Sequence, residues 1–509
     1  MMRRVLPDRV TYASVLSGLL LAFAFPEPDL SILAWFGLAP LFSVMEKRPF
    51  RSGFAAGLIF FLITLYWLNI VMVTYGQLHP FLSMIAWIAL ACYLALFWAG
   101  ATWAACRIKA QCGYSLAMTL PVLWVALEYL REFFLTGFPW SNIGYSQQGF
   151  LSAIQSVDLF GVYGIVYLLV LCNVAISQAL PALRRQQPFP LKTILCCVVL
   201  IIANFGYGQW RLGQEPDKRD QSVRVGLIQG NIEQGVKWSP EHRAETVNRY
   251  RSLSLQAAKE DGAQLLVWPE SATPFYFQEG RQLSQQVSSL PSETGAYLLF
   301  GSPAYRQGSN SEYEYLNSAF LLSPKGQALG RSDKIHLVPF GEYVPLGEYL
   351  PFVNKLVAGI GDFSPGEISP LSMNGSQLGV LVCYESIFPE LARDYVRQGS
   401  DLLVNITNDA WFGTSSAPWQ HLAMARFRAI ENRVWLVRAA NTGISAFISP
   451  SGRVIKQTEL FESTQITTEV GLGARPGLYS RIGDALPALF LLIGLGWLWQ
   501  SRRSVALRA

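Results

Sequence analysis

The chain has 509 residues, of which 15% are charged and 51% are hydrophobic, and its mean hydropathy is +0.27. Soluble proteins carry about 25% charged residues, so this composition excludes an ordinary soluble protein and indicates a membrane protein. The net charge of +5 is modest, and the lysines and arginines stand in short clusters between apolar runs. A nucleic acid is therefore not expected as a partner.

Charged residues are sparse up to about residue 209, frequent from residue 211 to residue 475, and absent from residue 486 to residue 499. A helix needs about 20 apolar residues to cross a bilayer. Eight segments are predicted to do so: 11–27, 29–45, 53–73, 81–105, 115–130, 158–180, 191–208 and 484–500. We therefore expect a transmembrane α-helical bundle of seven spans over residues 1–210, a soluble domain over residues 220–472 and a C-terminal eighth span.

The positions of the basic residues predict the orientation, because lysine and arginine accumulate in short cytoplasmic loops. With eight spans, five basic groups fall on one side of the membrane. These groups are Arg3 and Arg4; Lys47, Arg48 and Arg51; Arg107 and Lys109; Arg184 and Arg185; and Arg502 and Arg503. Both termini are then cytoplasmic, and the soluble domain is extracytoplasmic.

The predicted spans contain almost no ionisable residues, with Glu128 as the main exception. Because such residues mark ion or substrate paths within a membrane, a transporter is disfavoured.

Short β-branched runs alternate with amphipathic stretches in the soluble domain. Strands are predicted for VRVGLIQGNI, QLLVWPE, AYLLFGSPAY, NSAFLLSP, LGVLVCYES, DLLVNITND, WLVRAANTG and SAFISPSG. Helices are predicted for PEHRAETVNRYRSLSLQAAKE, IFPELARDYVRQG and PWQHLAMARFRAIENR. Several strands are apolar almost throughout, which is typical of sheets covered on both faces in a layered α/β domain.

Three residues suited to covalent chemistry stand at strand ends, where layered α/β folds place their active sites. Glu270 ends QLLVWPE, Cys383 lies near the end of LGVLVCYES, and Lys334 opens DKIHLVPFGEYVP. A free thiol has a pKa of about 8.5, so a nucleophilic cysteine needs a base or a cation beside it. Glu270 would accept the thiol proton, and Lys334 with the backbone N–H of Tyr384 would stabilise an oxyanion.

These residue types also have structural interpretations. An isolated cysteine at the end of an apolar strand is usually a small core residue, a loop lysine is usually solvated, and a glutamate after Trp-Pro often begins a turn. His336 and His421 suggest a Cys/His enzyme, but a histidine in a loop or on a helix is more often a surface or capping residue. Neither histidine has a metal-ligand partner at a suitable spacing, so no metal is expected.

Six motifs follow one another along the soluble domain: VGLIQGNI, LLVWPES, DKIHLVPFGEYVP, GVLVCYESIFPE, LLVNITNDAWFG and RAIENRVWLVRAANTGISAFISPSG. Together they resemble the carbon–nitrogen hydrolase (nitrilase) superfamily, whose αββα sandwich uses a Glu-Lys-Cys triad. The whole chain, including LTGFPWSNIGYSQ in its membrane half, is similar to one branch, the apolipoprotein N-acyltransferases of the bacterial inner membrane. The first two spans and residues 272–295 carry no matching motif.

The resemblance implies roles for individual residues. Glu270 corresponds to the general base, Lys334 to the oxyanion-stabilising lysine and Cys383 to the nucleophile. The supporting residues that it implies are Glu342, Tyr384, Glu385 and Trp238, the last on a mobile loop near the active site. The catalytic domain would be periplasmic, and no cofactor is expected.

The reaction implied is a two-step acyl transfer with ping-pong kinetics. Cys383 would take a fatty acyl chain from a phospholipid as a thioester and pass it to the N-terminal amine of a diacylglyceryl-cysteine on an apolipoprotein, which is the final step of lipoprotein maturation. The expected partners are the phospholipid donor, the apolipoprotein acceptor and the bilayer. The sequence does not determine the oligomeric state, and a monomer is the default expectation.

The segment LGEYLPFVNKLVAGIGDF is apolar enough to dip into a bilayer and to exclude water from the site. The residues predicted for this lid or membrane contact are Phe352, Val353, Leu356, Val357 and Ile360. Apolar periodicity supports their packing on the core of the domain equally well.

Two other functions stay open from the residues alone. A membrane-anchored amidase or nitrilase would hydrolyse its acyl-enzyme with water, but a single span would suffice to anchor it. A catalytically idle domain would bind lipoproteins or scaffold a complex, and the intact set of Glu270, Lys334 and Cys383 disfavours it.

Overall fold

The structure is a computed structural model that describes residues 8–183, 188–214, 221–308, 312–343 and 363–506. The chain divides into two compact units. The first comprises the described residues within Met1–Leu68, Pro80–Gln214 and Ile482–Ala509, and the second those within Asn69–His79 and Glu215–Arg481. The predicted lid residues Phe352, Val353, Leu356, Val357 and Ile360 lie outside the described residues.

The α-helices, in chain order, are α1 (Arg9–Ala22), α2 (Ala39–Val44), α3 (Pro49–Thr64), α4 (Leu68–Ile70), α5 (Pro80–Cys112), α6 (Leu116–Arg131), α7 (Leu151–Ile154), α8 (Val157–Phe160), α9 (Val162–Leu183), α10 (Leu191–Gly213), α11 (Arg243–Lys259), α12 (Gln282–Thr294), α13 (Pro389–Arg397), α14 (Ala417–Asn432), α15 (Leu478–Ile482) and α16 (Ala485–Ala506). The strands are β1 (Gln221–Gln229), β2 (Leu265–Val267), β3 (Tyr297–Gln307), β4 (Tyr313–Leu322), β5 (Ala328–Asp333), β6 (Leu371–Met373), β7 (Ser376–Val382), β8 (Leu402–Thr407), β9 (Trp435–Ala440), β10 (Ala446–Ile448), β11 (Val454–Gln457) and β12 (Thr464–Leu472).

The apolar helices of the chain differ in their ability to cross a membrane. Among the described residues, α5, α9 and α10 are long and apolar enough. The helical pair Pro49–Thr64 and Leu68–Tyr75, bent by 55°, would make a fourth span if it counts as one. With 14 residues, α1 is only about 21 Å long and does not reach across a hydrocarbon core of about 30 Å. The prediction of eight spans therefore stays a prediction.

A buried ion pair explains the charged residues at the end of α6. Glu128 contacts Arg131 one turn later, and both side chains are almost completely buried. Arg131 also donates hydrogen bonds to the backbone oxygens of Phe138 (3.0 Å) and Trp140 (2.7 Å) in the motif LTGFPWSNIGYSQ. Because a buried charge is tolerated when it is paired and hydrogen-bonded, Glu128 has a structural role that requires no ion path.

The second unit contains two six-stranded sheets, with strand orders β12-β1-β2-β3-β4-β5 and β11-β10-β9-β8-β7-β6. Strands β1, β2 and β3 run parallel in one sheet, and β7, β8 and β9 run parallel in the other. Apolar side chains of the two sheets form one core, for example Val225 and Leu299 from one sheet and Val380 and Val404 from the other. The sheets therefore pack face to face.

Helices cover the outer face of each sheet. Val247 and Tyr250 of α11 and Val287 of α12 pack in one cluster with Leu266 and Phe300 of the first sheet. Helix α13 contacts β7, and α14 contacts β9, on the second sheet. The layers are thus helix, sheet, sheet and helix, which agrees with the expected layered α/β domain and explains why its central strands are apolar on both faces.

Candidate active site

Glu270 follows β2 and lies near the carboxyl end of the first sheet. Its side chain is 9% exposed, and both carboxylate oxygens have partners. Oε1 accepts a hydrogen bond of 2.8 Å from Nδ2 of Asn317 on β4, and Oε2 accepts one of 3.0 Å from the backbone N–H of Asn408 after β8. These two bonds fix the carboxylate between the two sheets of the sandwich.

Lys334 follows β5 directly and is buried beside two carboxylates. Its Nζ lies 2.8 Å from Oε1 of Glu342 and 3.9 Å from Oε1 of Glu270. Burial alone would lower the pKa of Lys334, but the charges of Glu342, Cys383 and Glu270 outweigh it and raise the pKa above its ordinary value. Lys334 is therefore held as an ammonium ion.

Glu342 belongs to the same cluster. Its Oε1 accepts hydrogen bonds from Lys334 and from Nδ2 of Asn317 (3.0 Å), and its Oε2 accepts one from the backbone N–H of Val338 (2.8 Å). Asn317 therefore bridges Glu270 and Glu342 through one amide nitrogen.

Cys383 stands at the end of β7 as the first residue of the 3-10 turn Cys383–Ile387. Its φ of 58° is in the left-handed region, which is uncommon for a residue with a side chain and is found at functional sites. Burial and the charge of Glu270 raise the pKa of the thiol, while the charge of Lys334 lowers it. Cys383 is therefore a thiol at rest, and a base must take its proton before it can attack.

The two residues after Cys383 connect the turn to the segment that follows Lys334. The ring of Tyr384 lies 5.4 Å from Nζ of Lys334, and its hydroxyl donates to the backbone oxygen of Leu337 (2.8 Å). Glu385 accepts backbone hydrogen bonds from Ile335 (2.6 Å), His336 (2.9 Å) and Val382 (2.6 Å). Burial raises the pKa of Glu385 to about 7, although the hydrogen bonds from these three backbone N–H groups lower it.

A buried polar network that was not predicted from the sequence lies below the Cys383 turn. Nε2 of His421 lies 2.9 Å from Oγ of Ser386, and its Nδ1 lies 3.2 Å from Oδ1 of Asp409. Nη2 of Arg438 donates to Oδ2 of Asp409 at 2.7 Å. The expectation that His421 is a surface or capping residue was wrong, because its side chain is fully buried on the inner side of α14.

The network reaches the backbone of the candidate nucleophile. Arg438 contacts Oδ1 of Asn405, and Nδ2 of Asn405 donates to the carbonyl oxygens of Leu381 (2.8 Å) and Cys383 (3.0 Å). Burial and the charge of Arg438 lower the pKa of His421, so its imidazole is neutral. It is part of a scaffold under the turn. No signal in the sequence indicated this scaffold, because the partners of His421, which are Ser386, Asp409 and Arg438, come from three separate motifs.

Trp238 is half-buried in the loop between β1 and α11. The residue before it, Lys237, is fully buried, and its Nζ donates to the backbone oxygen of Glu270 at 3.2 Å. Trp238 is among the residues predicted from the sequence, whereas Lys237 is not. Within the described residues, no group of three or more His, Cys, Asp and Glu side chains is arranged to hold a metal ion.

Residues 224–474 match the carbon-nitrogen hydrolase family, so the second unit carries a domain of this class. A crystal structure of an amidase from Nesterenkonia sp. has 22% sequence identity and a TM-score of 0.38, and covers 53% of this chain and 95% of the amidase.

Two curated relatives match over nearly the whole chain. An apolipoprotein N-acyltransferase of Geobacter metallireducens is 48% identical over 486 residues, covering 94% of this chain and 92% of the relative. An apolipoprotein N-acyltransferase of Nitrosomonas europaea is 34% identical over 489 residues, covering 95% of this chain and 94% of the relative. Residues 17–175 match the N-terminal domain of the same enzymes. The chain belongs to the apolipoprotein N-acyltransferase family.

Proposed function

We propose that the protein transfers a fatty acyl chain from a phospholipid to the N-terminal amine of apolipoproteins, with Cys383, Glu270 and Lys334 as its catalytic residues. The observation that carries this assignment is the cluster at the strand ends. Nζ of Lys334 lies 3.9 Å from Oε1 of Glu270 and 5.4 Å from the ring of Tyr384, the residue after Cys383, and the charges of Glu270 and Lys334 both act on the thiol of Cys383. Membership of the apolipoprotein N-acyltransferase family supports the choice of substrates.

In the first half-reaction, the carboxylate of Glu270 takes the proton of the Cys383 thiol. The sulfur forms a bond to the ester carbonyl carbon of the phospholipid, and the π electron pair moves to the oxygen, where Lys334 and the backbone N–H of Tyr384 stabilise it. The electron pair then moves back from the oxygen to re-form the carbonyl double bond. The bond to the glycerol oxygen breaks, and Glu270 gives its proton to that oxygen. A lysophospholipid leaves, and a thioester stays on Cys383.

In the second half-reaction, the neutral α-amine of the diacylglyceryl-cysteine attacks the thioester carbon. Glu270 takes the amine proton, the carbon–sulfur bond breaks, and the proton returns to the departing Cys383 sulfur. An α-amine with a pKa of about 8 is partly neutral at pH 7. The neutral amine is a better nucleophile toward a thioester than water is. The product is an amide, and the kinetics are ping-pong.

The neighbours of the triad support these roles by holding the reacting groups in place. Glu342, at 2.8 Å from Nζ, orients the ammonium of Lys334. Glu385 ties the Cys383 turn to the residues after Lys334 by accepting their backbone N–H groups. We assign Trp238 to the rim of the same site, because it follows the buried Lys237.

We further propose that the protein is a multi-pass protein of the bacterial inner membrane. Residues 1–210 and 484–500 would supply eight spans with both termini cytoplasmic, and residues 220–472 would form a periplasmic catalytic domain. The distribution of basic residues between the short loops supports this orientation.

Incubation of the purified full-length protein with phospholipid alone, followed by intact mass spectrometry, tests the function. We expect a fatty-acyl mass increment on the wild type, and we expect Cys383→Ala to lack it. Cys92→Ala, which removes another half-buried cysteine, is the matched control and should be acylated like the wild type. Addition of a lipopeptide with a free N-terminal amine should discharge the adduct and yield an N-acylated peptide.

Two results would contradict the proposal. Absence of any adduct on the wild type would favour a binding protein. Loss of the adduct at the same rate with and without the lipopeptide would favour a hydrolase.

A further inference from the structure

Lys237 is a buried cation that the proposed reaction steps do not use. Its side chain is completely inaccessible to solvent, and within the described residues its one hydrogen bond is the 3.2 Å contact from Nζ to the backbone oxygen of Glu270. No carboxylate in the part of the chain that the structure describes lies within ion-pair distance of it. A buried charge without a paired partner is costly, so a stability role alone does not account for this lysine.

The loop that carries Lys237 is fastened to the same strand ends that hold Glu270. Asn408, whose backbone N–H donates to Glu270, also donates through Nδ2 to Oε1 of Gln234 at 2.7 Å. The backbone of Ile232 exchanges hydrogen bonds of 2.9 and 2.7 Å with the side chain of Asn441 after β9. Lys237 is therefore held beside Glu270 by the loop's own hydrogen bonds.

Lys237 is a second buried lysine in the cluster that contains Glu270, Glu342 and Lys334. Lys334 and Glu342 form a contact pair at 2.8 Å. Beside this pair stand the carboxylate of Glu270 and the side chain of Lys237. Burial lowers the pKa of Lys237 to about 8, while the charges of Glu270 and Cys383 raise it, so the side chain is still mainly an ammonium ion at pH 7. When the thiol proton moves to Glu270, the negative charge moves to Cys383 and then to the carbonyl oxygen, and Lys237 stays to compensate it.

We propose that Lys237 is a positioning residue of the active site, whose ammonium compensates the negative charge shared by Glu270 and Cys383 and so favours formation of the thiolate. This role rests on the proposed function of Cys383 as nucleophile. The ionisable groups that act on the thiol of Cys383 are Glu270, Lys334, Asp409 and Glu342, and Cys383 in turn acts on the pKa of Lys237.

Alkylation of Cys383 by iodoacetamide tests the inference without any acyl transfer. The full-length protein in detergent is alkylated over a range of pH, and the peptide that contains Cys383 is quantified by mass spectrometry. We expect Lys237→Met to slow alkylation at pH 7 about tenfold or more and to move the profile up by at least about one pH unit, because loss of a nearby opposite charge raises a thiol pKa by about 1 to 3. Lys237→Gln, which keeps a hydrogen-bond donor but no charge, should behave in the same way.

The matched control is Lys259→Met, which removes an exposed lysine at the end of α11 and should leave the profile unchanged. Thermal unfolding should show that Lys237→Met is at least as stable as the wild type, since an apolar side chain replaces a buried charge. A wild-type alkylation profile in a folded Lys237→Met or Lys237→Gln protein would overturn the inference. The acyl-enzyme experiment on the wild type separately tests the proposed function, so the two failures are distinguishable.

Discussion

The left-handed backbone of Cys383 needs support from its surroundings, because strained conformations of this kind cost of order 1 to 3 kcal/mol. Asn405 supplies part of that support by donating to the carbonyl oxygen of Cys383 at 3.0 Å. Arg438 holds Asn405, and Asp409 holds Arg438 at 2.7 Å. The geometry of the candidate nucleophile thus depends on charged residues that do not touch the substrate in the proposed mechanism.

We expect Asp409→Asn to destabilise the catalytic unit by about 3 to 5 kcal/mol, because the change leaves Arg438 buried without its carboxylate. Thermal unfolding of the full-length protein measures the loss, and the rate of Cys383 acylation should fall with it. Asp394→Asn is the control, because Asp394 pairs with Arg397 on the surface at 3.6 Å with both side chains 43% exposed. That change should have almost no effect, and equal stability of the two variants would refute the role of Asp409.

The pH dependence of this contribution follows from the pKa of Asp409. Burial raises that pKa, but the charge of Arg438 and the contacts with His421 and Thr407 together lower it by more. The pKa in the folded protein is therefore below its ordinary value of 3.8. The stabilisation is therefore complete above about pH 4 and is lost only as the pH falls through the lower folded value. At neutral pH the wild type keeps all of it, which is why the effect of Asp409→Asn should appear there in full.

At the scale of elements, β3 approaches the turn that carries Glu270 more closely than a side chain would allow. A Cβ on Gly301 would lie 2.5 Å from the backbone nitrogen of Ser271 and 2.6 Å from Cα of Glu270. Glycine at this position lets the strand run directly beneath the candidate base.

Gly301→Ala should therefore displace Glu270 and reduce the rate of Cys383 acylation by about 100-fold, since a shift of about 1 Å in a catalytic group can have an effect of that size. Single-turnover acylation followed by mass spectrometry measures it. Gly206→Ala on α10 is the control, because among the described residues no atom beyond the glycine's own helical backbone and its chain neighbours lies within 4 Å of the added Cβ. Equal rates for Gly301→Ala and the wild type would show that the turn adjusts without moving the carboxylate.

Strands with apolar runs were predictable, whereas β5, β6, β11 and β12 were not. The strand β5 has the sequence ALGRSD, and β11 is mostly exposed with the sequence VIKQ. Such strands form because a neighbouring strand offers unpaired backbone groups, as β4 does for β5. Their own side chains give only a weak signal. Helix α12 was missed as well, within residues 272–295 where no motif had been recognised.

At the scale of the whole molecule, the proposed orientation predicts which surfaces a membrane-impermeant maleimide reaches in intact cells. We expect a cysteine at the exposed residue Lys456 on β11 to be labelled after the outer membrane alone is permeabilised. A cysteine at Arg503 near the end of α16 should be labelled only after the inner membrane is also opened. The parent protein without the added cysteine supplies the background, and the reverse pattern would contradict the orientation.

The sequence by itself determined the two-part organisation of the chain, the layered α/β class and the identities of Glu270, Lys334 and Cys383 as candidates. It did so because hydropathy, alternation and short motifs are local properties that each segment carries alone. Only the tertiary structure decided that Lys237 is a buried cation beside Glu270 and that His421, Asp409 and Arg438 support the turn that carries Cys383. These residues are far apart in the chain, and burial changes their energetics only after the parallel strands of the two sheets have brought their ends together.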